Sequence, residues 1–257
     1  MIIVLSPAKS LDYESALPPV PSTRPDFLDR SAQLVDILRQ KSPAEIASLM
    51  SISDPLAALN AARFGDWTTD CTAPRGRQAV FAFNGDVYEG LDARTLDRDG
   101  QAWLQAHVRI LSGLYGVLRP LDLMLPYRLE MGTRLPNARG KDLYAFWGDL
   151  PAQALNALLE NDSKPLLVNL ASDEYFKAVK RASLKAAVIQ PVFQDWKGGT
   201  YKVISFFAKR ARGLMARYAA AKRIDDADAL RDFSVDGYAL DASVSSATQW
   251  IYRRRLD

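Results

Sequence analysis

Seven basic side chains and no acidic one lie between Tyr201 and Ile224. At roughly 100° per residue, the apolar side chains of the segment 207–223 fall on one side of a helix and most basic ones on the other. Solvated helix faces usually mix both signs of charge, because i,i+4 pairs stabilise the helix. Unrelieved positive charge repels itself and suits a phosphate backbone or another acidic partner. The predicted DNA contacts here are Lys209, Arg210, Arg212 and Arg217, and the alternative is an ordinary solvated face.

A glycine-containing turn, Leu111 to Pro120, follows an amphipathic segment and precedes an apolar one. Two glycines in a tight turn between helices expose backbone N–H groups, which can hold a phosphate without reading base sequence. The segment 98–125 is therefore similar to a helix-hairpin-helix element, although that element normally has one apolar residue between its glycines and here there are two. An ordinary corner between helices is the alternative. The predicted DNA contacts are Ser112, Gly113, Leu114, Tyr115, Gly116 and Arg119.

Charged side chains also follow two predicted strands. Lys9 comes after the apolar run Ile2–Leu5, and Asp173, Glu174 and Lys177 come after the run 165–170. Ligands of open α/β sheets bind beyond the carboxyl ends of strands. These four groups support a second hypothesis, an enzyme acting on a nucleobase or nucleotide. The alternative is that Lys9 is an ordinary loop lysine and that the acidic residues cap a helix. Arg128 and the basic residues after it could line a groove or pair with neighbouring acids.

Other kinds of chemistry have little support in this composition. Cys71 is the single cysteine and His107 the single histidine, so neither a cysteine-based metal site nor a disulfide within the chain is expected. His107 lies on an apolar stripe, which indicates packing. There is no Walker or Rossmann glycine motif. We therefore expect no catalytic residue, metal or cofactor, and an iron-handling protein ranks last. The redox role of Cys71 stays open.

The organisation predicts one domain over residues 1–257. The chain has 33 Lys and Arg residues against 30 Asp and Glu residues. Its hydrophobic fraction, 48%, is that of an ordinary globular protein. No run approaches the roughly 18 apolar residues of a membrane span, and no signal peptide is evident, so we expect a cytoplasmic protein. Strands at both ends with helices between predict an α/β fold, a mixed α+β sheet with surrounding helices.

Local sequence patterns predict where the strands and helices begin and end. The predicted strands are 2–5, 78–83, 165–170, 188–193, 201–206 and 249–252, with the fourth and fifth forming a hairpin around Gly198-Gly199. Pro191 predicts an edge strand or a bulge. The predicted helices are 26–40, one opening with the capping box Ser42-Pro43-Ala44-Glu45, 53–64, 97–111, 143–159, a short one from Asp173, and 207–223.

Several collinear segments over roughly residues 1–238 resemble the YaaA peroxide-stress proteins. Ser10 stands where threonine is more usual, and Asn84 where lysine is frequent. The matching segments are Ser6-Pro7-Ala8-Lys9-Ser10-Leu11-Asp12-Tyr13, Ala61-Ala62-Arg63-Phe64, Asn84-Gly85-Asp86-Val87-Tyr88-Glu89-Gly90-Leu91, 111–132, Gly140-Lys141-Asp142-Leu143-Tyr144, Phe146-Trp147-Gly148-Asp149, 169–177 and 211–217.

This resemblance implies a bacterial cytoplasmic protein that limits hydrogen peroxide damage and is associated with lowered intracellular iron. It implies DNA binding through a helix-hairpin-helix at Ser112–Arg119 and a positive cleft, within one domain of unusual α/β fold. Candidates for the cleft are Lys9, Lys177, Lys209, Arg212 and Arg217. We expect a monomer that recognises duplex or distorted DNA by shape and charge, with Tyr115 and Trp147 as candidates for base stacking.

Overall fold

The computed structural model describes residues 1–72 and 75–256. The strands are β1 (Ile2–Leu5), β2 (Ser10–Leu11), β3 (Arg77–Gln78), β4 (Phe83–Asn84), β5 (Val108–Ser112), β6 (Gly116–Leu118), β7 (Leu123–Met124), β8 (Leu166–Asn169), β9 (Ala187–Lys197), β10 (Thr200–Lys202), β11 (Ala239–Leu240) and β12 (Gln249–Arg254). The helices are α1 (Leu28–Arg39), α2 (Pro43–Met50), α3 (Asp54–Asp66), α4 (Ala79–Ala82), α5 (Asp86–Leu91), α6 (Arg98–His107), α7 (Leu143–Trp147), α8 (Leu150–Leu158), α9 (Asp173–Phe176) and α10 (Ser205–Lys222).

An eight-stranded mixed sheet forms the centre of the molecule. Its order is β11-β12-β9-β8-β1-β5-β6, and β10 pairs with β9 off this path. The strands from β12 to β5 are mutually parallel, whereas β6, β10 and β11 pair antiparallel with their neighbours. The predicted α/β class with a mixed sheet is confirmed. Because the parallel strands point the same way, the segments after β1, β5 and β8 meet at one edge of the sheet, called here the carboxyl edge.

The central strands are buried along their whole length. All four side chains of β1 and all five of β5 are buried, as expected of parallel strands covered by helices on both faces. Helix α10 packs closely on α5, where the Gly213 Cα lies against the Val87 carbonyl and the Gly90 Cα against that of Arg210. The predicted capping box is present: Ser42 accepts from the Glu45 N–H, and Glu45 accepts from Ser42.

Several predicted boundaries were wrong. The helix predicted to Leu111 ends at His107, because the apolar run after it, Val108–Ser112, pairs with β1 and β6 as β5. The strand predicted over 78–83 is interrupted by α4. The helix predicted over 143–159 breaks at Gly148, which has a positive φ of 57°. Strand β9 is internal, and Pro191 fits because it lies past the end of the β8 ladder.

Candidate nucleic-acid interface

The helix-hairpin-helix predicted over 98–125 is not formed: only its first part, α6, is helical, and the two glycines lie at the turn of a β-hairpin. Strands β5 and β6 pair antiparallel, with Ser112 opposite Gly116, and the turn between them is buried. The Tyr115 N–H donates to Ser112 Oγ over 2.9 Å, and the Gly113 carbonyl accepts from Trp147 Nε1 over 3.0 Å. The apolar residues on both sides of the turn form strands in the core, so its polar groups are used internally. A contact between this turn and DNA finds no support in the structure.

The two glycines of that turn serve packing. A Cβ on Gly113 would lie 2.2 Å from the Leu129 carbonyl oxygen, and one on Gly116, whose φ is +70°, would lie 2.7 Å from the Trp147 ring. Neither residue can carry a side chain there without displacing its neighbours. Leu114, Tyr115 and Trp147 are fully buried, so the proposed base stacking on Tyr115 and Trp147 was wrong.

Arg119 lies apart from the other predicted basic contacts. It follows β6, which runs back from the carboxyl edge because it is antiparallel to β5. Its guanidinium pairs with Asp26 over 3.1 Å and with Asp122 over 3.0 Å. Burial raises the pKa of Asp122, although hydrogen bonds from Thr23 and Arg119 act in the opposite direction. Arg119 therefore contributes to a structural ion-pair cluster.

Lys9, Arg128 and the loop between Leu129 and Gly132 meet at the carboxyl edge. The Lys9 ammonium pairs with Glu130 over 2.7 Å, and the Arg128 guanidinium contacts the same carboxylate over 3.1 Å. The Gly132 N–H donates to the Glu174 carboxylate over 2.8 Å. The segments after β1 and β8 are thus bridged through one loop, as their parallel arrangement predicts.

Helix α10 reaches the same edge through Arg212. Burial lowers the pKa of the Arg212 guanidinium, and the nearby Asp173 carboxylate opposes that shift. Lys177 lies over the Tyr144 ring, with its ammonium 4.8 Å from the ring centre, and the Tyr144 hydroxyl donates to the Glu174 carbonyl. The structure therefore brings together Lys9, Arg128, Lys177 and Arg212, interleaved with the carboxylates of Glu130, Asp173 and Glu174.

The basic residues of α10 divide into two groups. Arg217 donates to the Leu91 and Asp92 carbonyls at the end of α5, and Arg223 pairs with Asp97 over 2.9 Å. Lys209 and Arg210 are exposed, and no acidic partner contacts them within the described residues. Lys209 lies one helical turn before Arg212. Of the seven basic residues between Tyr201 and Ile224, five lie within α10. Lys209 and Arg210 near its N-terminus and Lys222 at its C-terminal end are exposed without an acidic partner among the described residues.

Of the four groups of the enzyme hypothesis, only Lys9 lines the cavity found at this position. The cavity beside Lys9 is lined mainly by that residue, Tyr127, Arg128, Glu130 and Tyr175, and its volume is about 10 Å³. That is room for about one water molecule. Lys9 and Glu174 are also held by Glu130 and the Gly132 N–H. The arrangement favours no nucleobase pocket at this position.

A helical hairpin does occur, at α2 and α3. Helix α2 ends at Ser51, which has a left-handed φ of 51°, and Ser53 is the N-cap of α3 but makes no side-chain cap bond. Ile52 between them is half-buried, and its N–H donates to the Ala47 carbonyl. Both helix starts are evident in the sequence. The sequence pattern that could have located this hairpin is the tripeptide Ser51-Ile52-Ser53 between the two helices, an apolar residue flanked by two small ones.

The Cys71 thiol is buried and does not have the properties of a peroxide-reactive cysteine. Burial raises its pKa to about 11. The nucleophilic form of cysteine is the thiolate, so this raised pKa disfavours reaction of the thiol with peroxide at neutral pH. Cys71 lines a cavity of about 440 Å³ together with Arg24, Asp70 and neighbouring threonines, none of which is a predicted site residue.

The remaining expectations concern metals and membranes. In the part of the chain that the structure describes, no three His, Cys, Asp or Glu side chains are grouped as metal ligands. None of the described helices has the length and apolar character needed to cross a membrane. His107 stacks on Trp103, with ring centres 4.5 Å apart, which agrees with a packing role.

The fold and this edge define a mixed α/β protein whose parallel strands end at a cluster of charged side chains, with exposed cations on an adjoining helix. The chain belongs to the family of the peroxide stress protein YaaA, whose family model matches residues 1–244. A UPF0246 protein of Janthinobacterium sp. (strain Marseille) is 62% identical over 256 residues, covering 100% of this chain and 99% of the relative. UPF0246 proteins of Ralstonia nicotianae and Laribacter hongkongensis are each 62% identical, with 99% of both chains covered.

Proposed function

We propose that this member of a peroxide stress family is a cytoplasmic DNA-binding protein that protects DNA by binding it through shape and charge. The observation that carries the proposal is the pair of exposed, unneutralised cations Lys209 and Arg210 on α10. A phosphate backbone neutralises such charges and releases counterions, which favours binding. The edge cations Lys9, Lys177 and Arg212 extend the positive surface, although neighbouring carboxylates reduce their net effect.

The way α10 is held supports recognition by shape. A helix that reads bases must enter the major groove, which needs a free helix face. The α10 backbone is in contact with α5 at Gly213, and its Arg217 is bound to the end of α5. Its available side chains are therefore a short row of charges suited to phosphates. The lowered intracellular iron implied by the resemblance stays a prediction. Equilibrium dialysis of the protein with Fe(II) tests the separate iron-handling hypothesis, which the absence of stoichiometric binding would exclude.

The α2–α3 hairpin supports the proposal as a second phosphate contact. The first N–H groups of a helix and its positive dipole end attract anions. Ser53 is exposed, and its hydroxyl is not engaged in a cap bond. We propose that this turn takes the role that the resemblance assigned to Ser112–Arg119.

The double substitution Lys209→Glu/Arg210→Glu is expected to weaken duplex binding and to reduce the slope of log affinity against log salt by about 2, because each lost phosphate contact removes about 0.9. Lys222→Glu, on the same helix about 20 Å away at 1.5 Å per residue, is the matched control and should leave the slope near that of the unaltered protein. Fluorescence anisotropy with a short labelled duplex at several salt concentrations measures both. An unchanged slope in the double variant would overturn the proposal.

The hairpin contact has a test that separates charge from folding. Aspartate and asparagine are both favoured N-caps, so Ser53→Asp and Ser53→Asn should fold equally well. The first turn of α3 already carries the Asp54 carboxylate, and only Ser53→Asp adds a second negative charge beside the bound phosphate. We expect roughly fivefold weaker duplex binding for Ser53→Asp than for Ser53→Asn, because like charges repel. Equal affinities for the two variants would exclude this turn from the interface.

A further inference from the structure

The outer face of β9, β10 and β12 is unlike the rest of the sheet. Along β9, alternate side chains are buried and half-buried. Asp195 and Phe193 point to the side covered by α10, and Trp196 points to the opposite side, which is partly open. In register with Trp196 lies Tyr201 of β10, and Arg253 of β12 lies opposite Gln194. This surface, called here the hairpin face, consists of Trp196, Tyr201, Arg253 and Arg255.

Trp196 differs from the other four tryptophans of the chain. Trp67, Trp103, Trp147 and Trp250 are all buried in the core, whereas Trp196 is half-buried at the surface. A large aromatic side chain left partly open to water at the end of a strand is unusual when the core accommodates the others. Val203 and Phe206, which follow β10, are 53% and 56% exposed. Tryptophan is enriched at interfaces, where a partner covers the part of the ring that water reaches in the free protein.

Aromatic rings and guanidinium planes alternate on the hairpin face. The Trp196 and Tyr201 rings are 4.9 Å apart in a T-shaped arrangement. The Arg255 guanidinium lies 5.0 Å from the Trp196 ring centre, and that of Arg253 lies 4.4 Å from the Tyr201 ring centre. Nucleic-acid bases stack on both kinds of group, on aromatic rings and on flat guanidinium planes.

The charge of this face is positive. Arg255 is exposed, and no acidic partner pairs with it in the described ranges, whereas the exposed Lys197 and Lys202 lie at the end of the same hairpin on the side of Asp195. Arg253 pairs with Asp241 over 2.7 Å. The Asp195 carboxylate does not reduce this charge from the same side, because its side chain lies beneath the sheet, bound to Arg254. Cations around stacking groups match a flexible polyanion whose bases are unpaired.

We propose that the hairpin face binds single-stranded DNA, with a base stacked on the Trp196 and Tyr201 rings and the adjoining phosphate held by Arg255. The proposal rests on the proposed function and deepens it by naming an unpaired strand as the partner of a second surface. A duplex keeps its bases stacked on each other, so it has no base available to Trp196. A protein with this face prefers DNA that is locally opened over DNA that is fully paired.

The test uses the full chain and a labelled dT oligonucleotide of about 20 nucleotides, alongside a duplex of equal length. Because the other tryptophans are buried, quenching of intrinsic fluorescence on adding the oligonucleotide reports on Trp196. Trp196→Leu is expected to weaken single-strand binding roughly tenfold or more and to leave duplex binding unchanged. Trp196→Phe keeps a ring and should recover much of the affinity, and Arg255→Ala alters the face without disturbing the core.

The outcomes separate the two proposals. If Trp196→Leu and Arg255→Ala both bind the oligonucleotide as tightly as the unaltered protein, the hairpin face is not the site. If Lys209→Glu/Arg210→Glu alone abolishes single-strand binding, the strand binds at α10, which overturns this inference but supports the proposed function. If Trp196→Leu loses single-strand binding while the α10 variant retains duplex binding unchanged, this inference stands and the α10 interface fails.

Discussion

Asp195→Ala is expected to destabilise the protein by about 3 kcal/mol, the lower end of the effect of breaking a buried ion pair, because it leaves the buried Arg254 guanidinium with only the exposed Asp236 as an acidic partner. The Arg254 and Asp195 side chains are 4% and 6% exposed and 2.7 Å apart. The Tyr238 hydroxyl donates to the other carboxylate oxygen over 2.8 Å, so the substitution also leaves that hydroxyl unsatisfied. Urea unfolding followed by circular dichroism measures the change in free energy of unfolding.

Two further variants distinguish the loss of a buried charge partner from the loss of an exposed ion pair. Asp228→Asn removes an exposed pair with Arg231 and should cost no more than about 1 kcal/mol. The double substitution Asp195→Leu/Arg254→Met removes both buried charges and should recover a large part of the lost stability. A loss below about 1 kcal/mol for Asp195→Ala would contradict the burial of this pair and, with it, the anchoring of β12 on β9.

Gly213→Ala is the second substitution with a large expected effect. A Cβ at this position would lie 1.8 Å from the Val87 carbonyl oxygen and 2.7 Å from the Leu91 N. Backbone atoms cannot move aside as the end of a flexible side chain can, so α10 must separate from α5. We expect the free energy of unfolding to fall by about 3 kcal/mol, at the upper end of overpacking effects. For a chain of this length that corresponds to a fall of about 6–12 °C in Tm.

Gly65→Ala is the matched control for this substitution. Gly65 lies in α3, and a Cβ there would meet nothing within 4 Å. Alanine is the better helix former, so this variant should be more stable by about 0.5–1 kcal/mol. Differential scanning calorimetry compares the two variants with the unaltered protein. If Gly213→Ala melts at the unaltered temperature, the close approach of α10 to α5 is incorrect, and the placement of Lys209 and Arg210 would need revision.

Local signals in the sequence located many elements. The β-branched run Ile2–Leu5 predicted β1, the capping box at Ser42 predicted α2, and Gly198-Gly199 predicted the turn between β9 and β10. Each of these features acts within a few residues, through side-chain branching, hydrogen bonding at a helix end, or the freedom of glycine to adopt positive φ. The apolar run 108–112 was different, since it suits a helix or a buried strand equally well.

At the candidate site, too, some properties are visible in the sequence and others are decided only by the fold. The charge run on α10 is visible in the sequence, but its members look alike there. Only the fold shows that Arg217 donates to the end of α5 and Arg223 pairs with Asp97, whereas Lys209 and Arg210 face solvent. The resemblance to the peroxide stress family was confirmed by the comparison over residues 1–244, whereas the position of its helical hairpin was not.

By itself, the sequence determined the fold class, the family and the presence of unbalanced positive charge. These depend on composition, on period and on motifs that are contiguous in the chain. The tertiary structure alone decided that Gly113 and Gly116 serve packing, that Lys9 pairs with Glu130, and that Trp196 lies open on a sheet face. The physical reason is that burial and ion pairing depend on groups distant in sequence, whose positions are set by strand order and helix packing.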